Sequence, residues 1–197
     1  MNLILASTSP YRAQLLQQLR LPFNQMDPAY GETSLPDELP GDRCKRLATG
    51  KAMAVAAMSP PAPYLVIGSD QVASLPSGEV LSKPGDFNEA FRQLKACAGQ
   101  WVRFETGICL MSDTGIQQVA SECFDLRYRA LDDIRVTRYL NLDQPWDCAG
   151  SIRYESLGYL LVQDTRGRDI NTLLGLPLLL LVEMLGKLGI DVLKEIN

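Results

Sequence analysis

Short apolar runs, each stopped by a turn or helix-start signal, alternate with helix-period segments along this chain. That alternation restricts it to a mixed α/β fold. Residues 2–6 (NLILA) form an apolar run of strand length. Ser7-Thr8-Ser9-Pro10 follows. Its hydroxyls can cap a helix, and the proline's preset φ and missing N–H suit the first helical position. Leu15, Leu16 and Leu19 give that helix a core face. A second helix is expected over residues 42–58, with Cys44, Leu47, Ala48, Ala52, Val55 and Ala56 at helical spacing. Residues 64–68 (YLVIG) read as a central strand that stops at Ser69-Asp70-Gln71. Residues 72–81 suit a hairpin turning at Pro76-Ser77-Gly78. An Asp-capped helix is predicted over 86–98, with Glu89 in its first turn and Gly99 at its end. Residues 102–112 and 116–129 flank Asp113-Thr114-Gly115 as a second hairpin. A polar helix near 131–141, strand-like pieces over 151–163 and an apolar helix opening at Pro177 complete the reading. Strand order does not follow from it.

Composition removes several function classes. A chain of 197 residues suits one domain over 1–197, or two small lobes sharing a core. At that size roughly 70% of the unfolded surface is buried, so no disulfide or metal staple is needed. Nineteen Lys+Arg against 23 Asp+Glu leave a net charge of −4, which lacks the basic excess of a duplex-binding protein. There is no histidine, which excludes Ser-His-Asp and Cys-His nucleophile systems and His-ligated zinc. The 5 cysteines are odd in number and show no CxxC spacing, so free thiols in a reducing cytoplasm fit best. The longest apolar run, 173–182, is broken by Gly175 and Pro177 and falls short of the roughly 20 residues of a membrane span. A buried core helix is the expectation there.

The residues left for chemistry are cations and carboxylates. The strand–STSP–helix turn carries Tyr11 and Arg12. A helix N-terminus with hydroxyls and an Arg attracts phosphate. The same letters also describe an ordinary capped helix with a surface Arg. Lys51 falls within the apolar stripe of its helix, where a cation needs a partner or ligand, or snorkels to the helix edge. Asp70 lies where the apolar strand is expected to end, as a cation ligand, a proton acceptor or a simple turn residue. Lys83-Pro84 adds another cation, and Glu32 is a candidate second carboxylate or an exposed loop residue. Arg12, Lys51 and Lys83 with Asp70 suit phosphoryl or nucleotidyl chemistry, where positioning and charge neutralisation dominate. No GxxxxGK[ST] or GxGxxG is present.

LILASTSPYRAQLL at 3–16, GSDQV at 68–72, Lys83-Pro84, CAGS at 148–151 and NTLLGLP at 171–177 resemble the Maf family of nucleoside triphosphate pyrophosphatases, with the motifs in family order. The resemblance implies an α/β fold of the Maf/ITPase-like kind, a mixed β-sheet with flanking helices around a central cleft. It implies metal-dependent hydrolysis of a nucleotide to its monophosphate and pyrophosphate. Carried over by position, Asp70 matches the proton acceptor that activates water. Ser7, Arg12, Lys51 and Lys83 match the phosphate cradle, and Glu32 matches a carboxylate that helps hold Mg²⁺ or Mn²⁺. The chain departs from the family at Gly31, where an acidic residue often stands, and at Ser82, where a Gly is common. Three nearby cations and a metal are expected to depress the Asp70 pKa, leaving its role as base or metal ligand open.

Base recognition is implied by three more positions. Tyr11, Gln71 and Glu155 match the aromatic, Gln and Glu of the 7-methyl-GTP branch, although Trp is the common aromatic there. The dTTP/UTP branch carries Arg, Thr and Gln. A methylated, cationic guanine is attracted to an aromatic face and to a carboxylate that also accepts its N–H donors. The expected activity is therefore 7-methyl-GTP pyrophosphatase. A dTTP/UTP pyrophosphatase and a nucleotide-binding regulatory module with little turnover are the rivals. A small-molecule nucleotide is the expected partner, with no nucleic acid or membrane, and the resemblance also implies a homodimer.

Overall fold

A computed structural model describes residues 1–196. In chain order the elements are β1 (Asn2–Ala6), α1 (Pro10–Gln17), β2 (Phe23–Met26), α2 (Pro40–Ala56), β3 (Tyr64–Ser74), β4 (Val80–Leu81) and α3 (Phe87–Cys97). Then follow β5 (Trp101–Ser112), β6 (Gln117–Tyr128), α4 (Asp133–Asp143), β7 (Val162–Arg166), α5 (Asn171–Leu174), α6 (Leu178–Lys187) and α7 (Val192–Glu195). The strands form a seven-stranded sheet in the order β2-β1-β3-β5-β6-β7, with β4 paired to β3. Parallel pairing of β1 with β2 and β3, and antiparallel β3–β4 and β6–β7, make it mixed, as expected. Among the described residues no helix is long and apolar enough to cross a membrane.

The chain divides into two compact units. The first comprises residues up to Asp70, Thr106–Glu122 and the chain from Asp169 onward. Its core follows from the period-2 alternation of strand side chains. Leu3, Leu5, Leu65, Ile67, Ile108 and Leu110 meet Leu15 and Leu16 of α1 and Leu181, Met184 and Leu185 of α6. Ile4, Ala6, Val66 and Cys109 meet Ala48, Ala52 and Val55 of α2. Burying each Leu or Ile side chain contributes roughly 1.5–3 kcal/mol. Gly68 continues the α2-facing series of β3. A Cβ there would overlap the Ala48 carbonyl oxygen and lie 3.0 Å from Ala52 N and Cβ, so the helix sits as close to this strand as backbone permits.

The second unit comprises Gln71–Glu105 and Cys123–Arg168. Its hairpin pairs Ala73 with Leu81 and Ser74 with Val80, turning at Gly78 (φ +89°). Asp86 caps α3 through Glu89 N–H, as its position predicts. Arg166 of β7 lies 4.0 Å over the Trp101 ring.

The expected strands over 151–163 are mostly absent. Short 3-10 turns at Ala149–Ser151 and Gly158–Leu161 stand there, and only Val162 onward is strand. Arg153 accounts for this locally. Its guanidinium ties the segment to the carbonyls of Asp143 and Gln144, and its own carbonyl accepts Gly158 N–H, which takes two backbone groups away from a sheet ladder. The strand expected to stop at Ser69 instead runs through Asp70 to Ser74. β2 also escaped the sequence reading, because its pattern of half-buried ends and exposed centre carries little apolar signal.

The five cysteines are free, as the spacing implies. Cys44, Cys97 and Cys109 are buried, Cys148 is half-buried and Cys123 is exposed. Burial pushes the Cys97 and Cys148 thiols up to about 12. The thiolate is the reactive form, so at mildly alkaline pH a disulfide reagent should label Cys123 in a fast phase, with Cys148 slower and the three buried thiols accessible only after denaturation. Cys123→Ser should abolish that phase. A fast phase surviving the substitution would contradict the burial pattern.

Candidate active site

The first unit holds six of the nine candidate residues, Ser7, Tyr11, Arg12, Glu32, Lys51 and Asp70. β1 is followed by the buried Ser7, whose Oγ accepts Ser9 N–H at 3.1 Å and stands 3.4 Å from Arg12 Nη1, a donor to it. Ser9 caps α1 by accepting Arg12 N–H, and Pro10 occupies the first turn. The Ser-Thr-Ser-Pro turn thus both starts a helix and orients Arg12. Arg12 Nε donates to the Gly175 carbonyl at 3.0 Å. That carbonyl also accepts Ser69 Oγ at 2.9 Å. Gly175 closes α5 at φ +102°, a conformation that favours glycine.

Alternation along β3 puts Ser69 on the Gly175 side and Asp70 on the α2 side, in line with Val66 and Gly68. Lys51 lies on the sheet-facing stripe of α2, between Ala48 and Ala52. Its Nζ donates to Asp70 Oδ1 at 2.6 Å and to the Glu32 carboxylate. Lys51 and Asp70 are 6% and 4% exposed, so this ion pair is almost fully withdrawn from water. Glu32 projects from the exposed segment between β2 and α2.

The electrostatics reverse one expectation. The Asp70 carboxyl is raised above its ordinary pKa, because burial outweighs the opposing pull of Lys51 and Arg12. Desolvation likewise lowers the Arg12 guanidinium, against the charges of Asp70 and Glu32. Asp70 is therefore more basic than a solvated aspartate.

Two carboxylates converging on one ammonium form a donor set that suits a small divalent cation. Among the described residues no three His, Cys, Asp or Glu side chains cluster for a metal. Mg²⁺ is commonly held by one or two carboxylates together with substrate phosphates, without an all-protein cage. Glu32 and Asp70 fit that mode.

Tyr11 lies half-buried in the first turn of α1, beside Arg12. Gln71, Lys83 and Glu155 belong to the second unit. Gln71 is half-buried in β3. Lys83 is exposed after β4, next to the buried Pro84. Glu155 is exposed in a turn rather than on a strand. That turn is anchored by Ser156 Oγ, which donates to Asp143 Oδ1 at 2.5 Å, and by Arg153 N–H, which donates to Tyr139 Oη at 2.8 Å.

Spacing did not reveal the Gly175 carbonyl as the anchor of Arg12, since the two are 163 residues apart. Asp169 was also missed. It is buried and accepts Asn171 N–H and Leu179 N–H, tying α5 to α6.

The profile of the family described as Maf-like protein matches residues 2–188. The chain belongs to the Maf-like protein family. A relative from Nitrosococcus oceani, named 7-methyl-GTP pyrophosphatase, is 47% identical over 98% of this chain and 96% of its own length. Proteins of the same name from Alcanivorax borkumensis and Pseudoalteromonas atlantica are each 44% identical. The first alignment covers 96% of this chain and 95% of the relative, and the second covers both chains fully. Among solved structures, the Staphylococcus aureus Ham1 protein is similar over 66% of this chain and 73% of its own, with a TM-score of 0.47 at 11% identity. In this Maf-like chain the residues quoted from the sequence as 3–16, 68–72 and 171–177 supply Ser7, Arg12, Asp70 and Gly175, the connected part of the first unit.

Proposed function

We propose that this chain hydrolyses 7-methyl-GTP to 7-methyl-GMP and pyrophosphate with the help of a divalent cation. The observation that carries the reading is the buried Lys51–Asp70 pair, joined by Glu32 and electrostatically coupled to Arg12. Asp70 accepts a proton from water as the water oxygen attacks the α-phosphorus and the α–β anhydride bond breaks, pyrophosphate leaving. Arg12, Lys51 and Ser7 grip phosphate oxygens and spread the charge that develops on them. The resemblance assigns Lys83 a phosphate-binding role as well. Glu32 and Asp70 would hold the cation, which when bound neutralises polyphosphate charge. The names of the relatives support 7-methyl-GTP as substrate. Tyr11 and Glu155 suit a cationic purine, through its π face and its N–H edge. The free thiols support a cytoplasmic setting.

The test is pyrophosphate release across a panel of 7-methyl-GTP, GTP, dTTP and UTP with Mg²⁺ or Mn²⁺. Preference for 7-methyl-GTP is expected. Preference for dTTP or UTP would overturn the base assignment, and binding without release would overturn the hydrolytic reading. Glu155→Gln should lower kcat/KM for 7-methyl-GTP by about 10- to 100-fold, the loss expected for a charge-assisted contact. The same substitution should spare UTP hydrolysis. Equal loss on both nucleotides would remove Glu155 from base recognition.

A further inference from the structure

Glu32 meets Lys51 from a 13-residue stretch without regular secondary structure, residues 27–39 between β2 and α2. Something must hold so exposed a segment in register with the helix. α2 offers a notch: Gly50, buried in mid-helix and adjacent to Lys51, is covered by the ring of Tyr30, two residues before Glu32. A Cβ at Gly50 would overlap Tyr30 Cζ and Oη, so the ring occupies the volume a side chain would take. One turn earlier, Arg46 forks onto Glu38, with Nη2 to Oε2 at 2.6 Å, and donates to the Thr33 carbonyl at 3.1 Å. Arg46 and Tyr30 also interact electrostatically. Arg46 and Gly50 lie one turn apart on α2, so these contacts form one stripe along the helix. Glu32 is bracketed by Tyr30 and Thr33, both fastened to that stripe.

We propose that Tyr30 is a positioning residue for Glu32: its ring, seated in the notch left by Gly50, latches residues 27–39 onto α2 and keeps the Glu32 carboxylate against Lys51. The functional half of this proposal rests on the hydrolytic reading above, with Glu32 helping to hold the cation. Glycine in mid-helix is otherwise unfavourable relative to alanine, and the notch gives it a use.

The latch makes stability and function separable. Gly50→Ala evicts the end of an exposed side chain while improving helix propensity, so the melting temperature should hold or rise. Cleavage by a glutamyl endopeptidase after Glu32, followed by mass spectrometry in the presence of chelator, reads the segment directly. Gly50→Ala and Tyr30→Ala should each speed that cleavage about tenfold, as the locally open population grows. The double variant should be no faster than either single, because both remove one contact. In the panel assay the Mg²⁺ concentration giving half-maximal release should rise about 10- to 100-fold in both variants, the range seen when support for a ligand is lost. Unchanged cleavage in Gly50→Ala, or additive effects in the double variant, would overturn the latch. Faster cleavage with an unchanged metal requirement would overturn its functional half. Should the wild type hydrolyse no triphosphate, the hydrolytic reading fails, while the cleavage rates still decide the latch.

Discussion

Asp70→Asn is expected to cut 7-methyl-GTP turnover by about 10²- to 10⁴-fold, the usual contribution of a positioned proton acceptor. The amide keeps the shape of the carboxylate and can still accept from Lys51 Nζ, but it cannot take a proton from water. The same substitution should not unfold the chain. The Asp70 pKa is raised in the fold, so the group's contribution to stability is fully present only below the ordinary carboxylate range and is lost as pH rises through the raised value. At neutral pH the wild type already bears the cost of a buried, charged Asp70. A neutral Asn removes that cost, and Lys51 keeps its second partner, Glu32. In chelator at neutral pH the variant should therefore melt no lower than the wild type. Near-normal pyrophosphate release from a folded Asp70→Asn chain would end the catalytic assignment.

Gly68→Ala should do the opposite, damaging the fold and the site together. Its new methyl would meet the backbone carbonyl of Ala48, which cannot rotate aside as a side-chain end can. Relief requires α2 and β3 to separate. A loss of about 3 kcal/mol is expected, at the upper end for overpacking. For a chain of this length that corresponds to roughly 6–12 °C in melting temperature. Because α2 carries Lys51 and β3 carries Asp70, the separation should also lower turnover in the fraction that remains folded. Thermal melts and the panel assay check both parts. A variant with wild-type melting would show that the helix–strand contact has slack.

The contrast between these substitutions explains what the sequence made legible. Strong periodicity was readable where burial enforces it. The run at 2–6, the Ser-Thr-Ser-Pro start of α1 and the apolar stripe of α2 correspond to observed elements. Lys51 stood out because it interrupts that stripe, and its partner is the Asp70 singled out on β3. The extension of β3 was hidden because Ser69 and Asp70 look like strand breakers. Their polar groups are satisfied by Gly175 and Lys51, contacts remote in sequence. The region 151–163 misled for the converse reason: its apolar letters read as strand, while Arg153 and the left-handed Gly150 just before the region turn the backbone away from a ladder. The direction of the Asp70 shift was misjudged because letters count charges and do not weigh desolvation. The Tyr30–Gly50 contact had no signal at all, since a helical glycine reveals its use only when its neighbour is seen.

The first unit is assembled from the earliest and the latest parts of the chain. Arg12 is secured by a carbonyl at position 175, and α6, beyond it, covers one face of β1 and β3. During synthesis the N-terminal strand and helix emerge long before those partners exist. A ribosome-bound chain halted short of residue 175 carries an arginine without its Gly175 anchor and a strand pair whose one face has α1 but not α6. Anchoring of Arg12 is thus a late event in the making of each molecule, withheld from chains that stop short of Gly175.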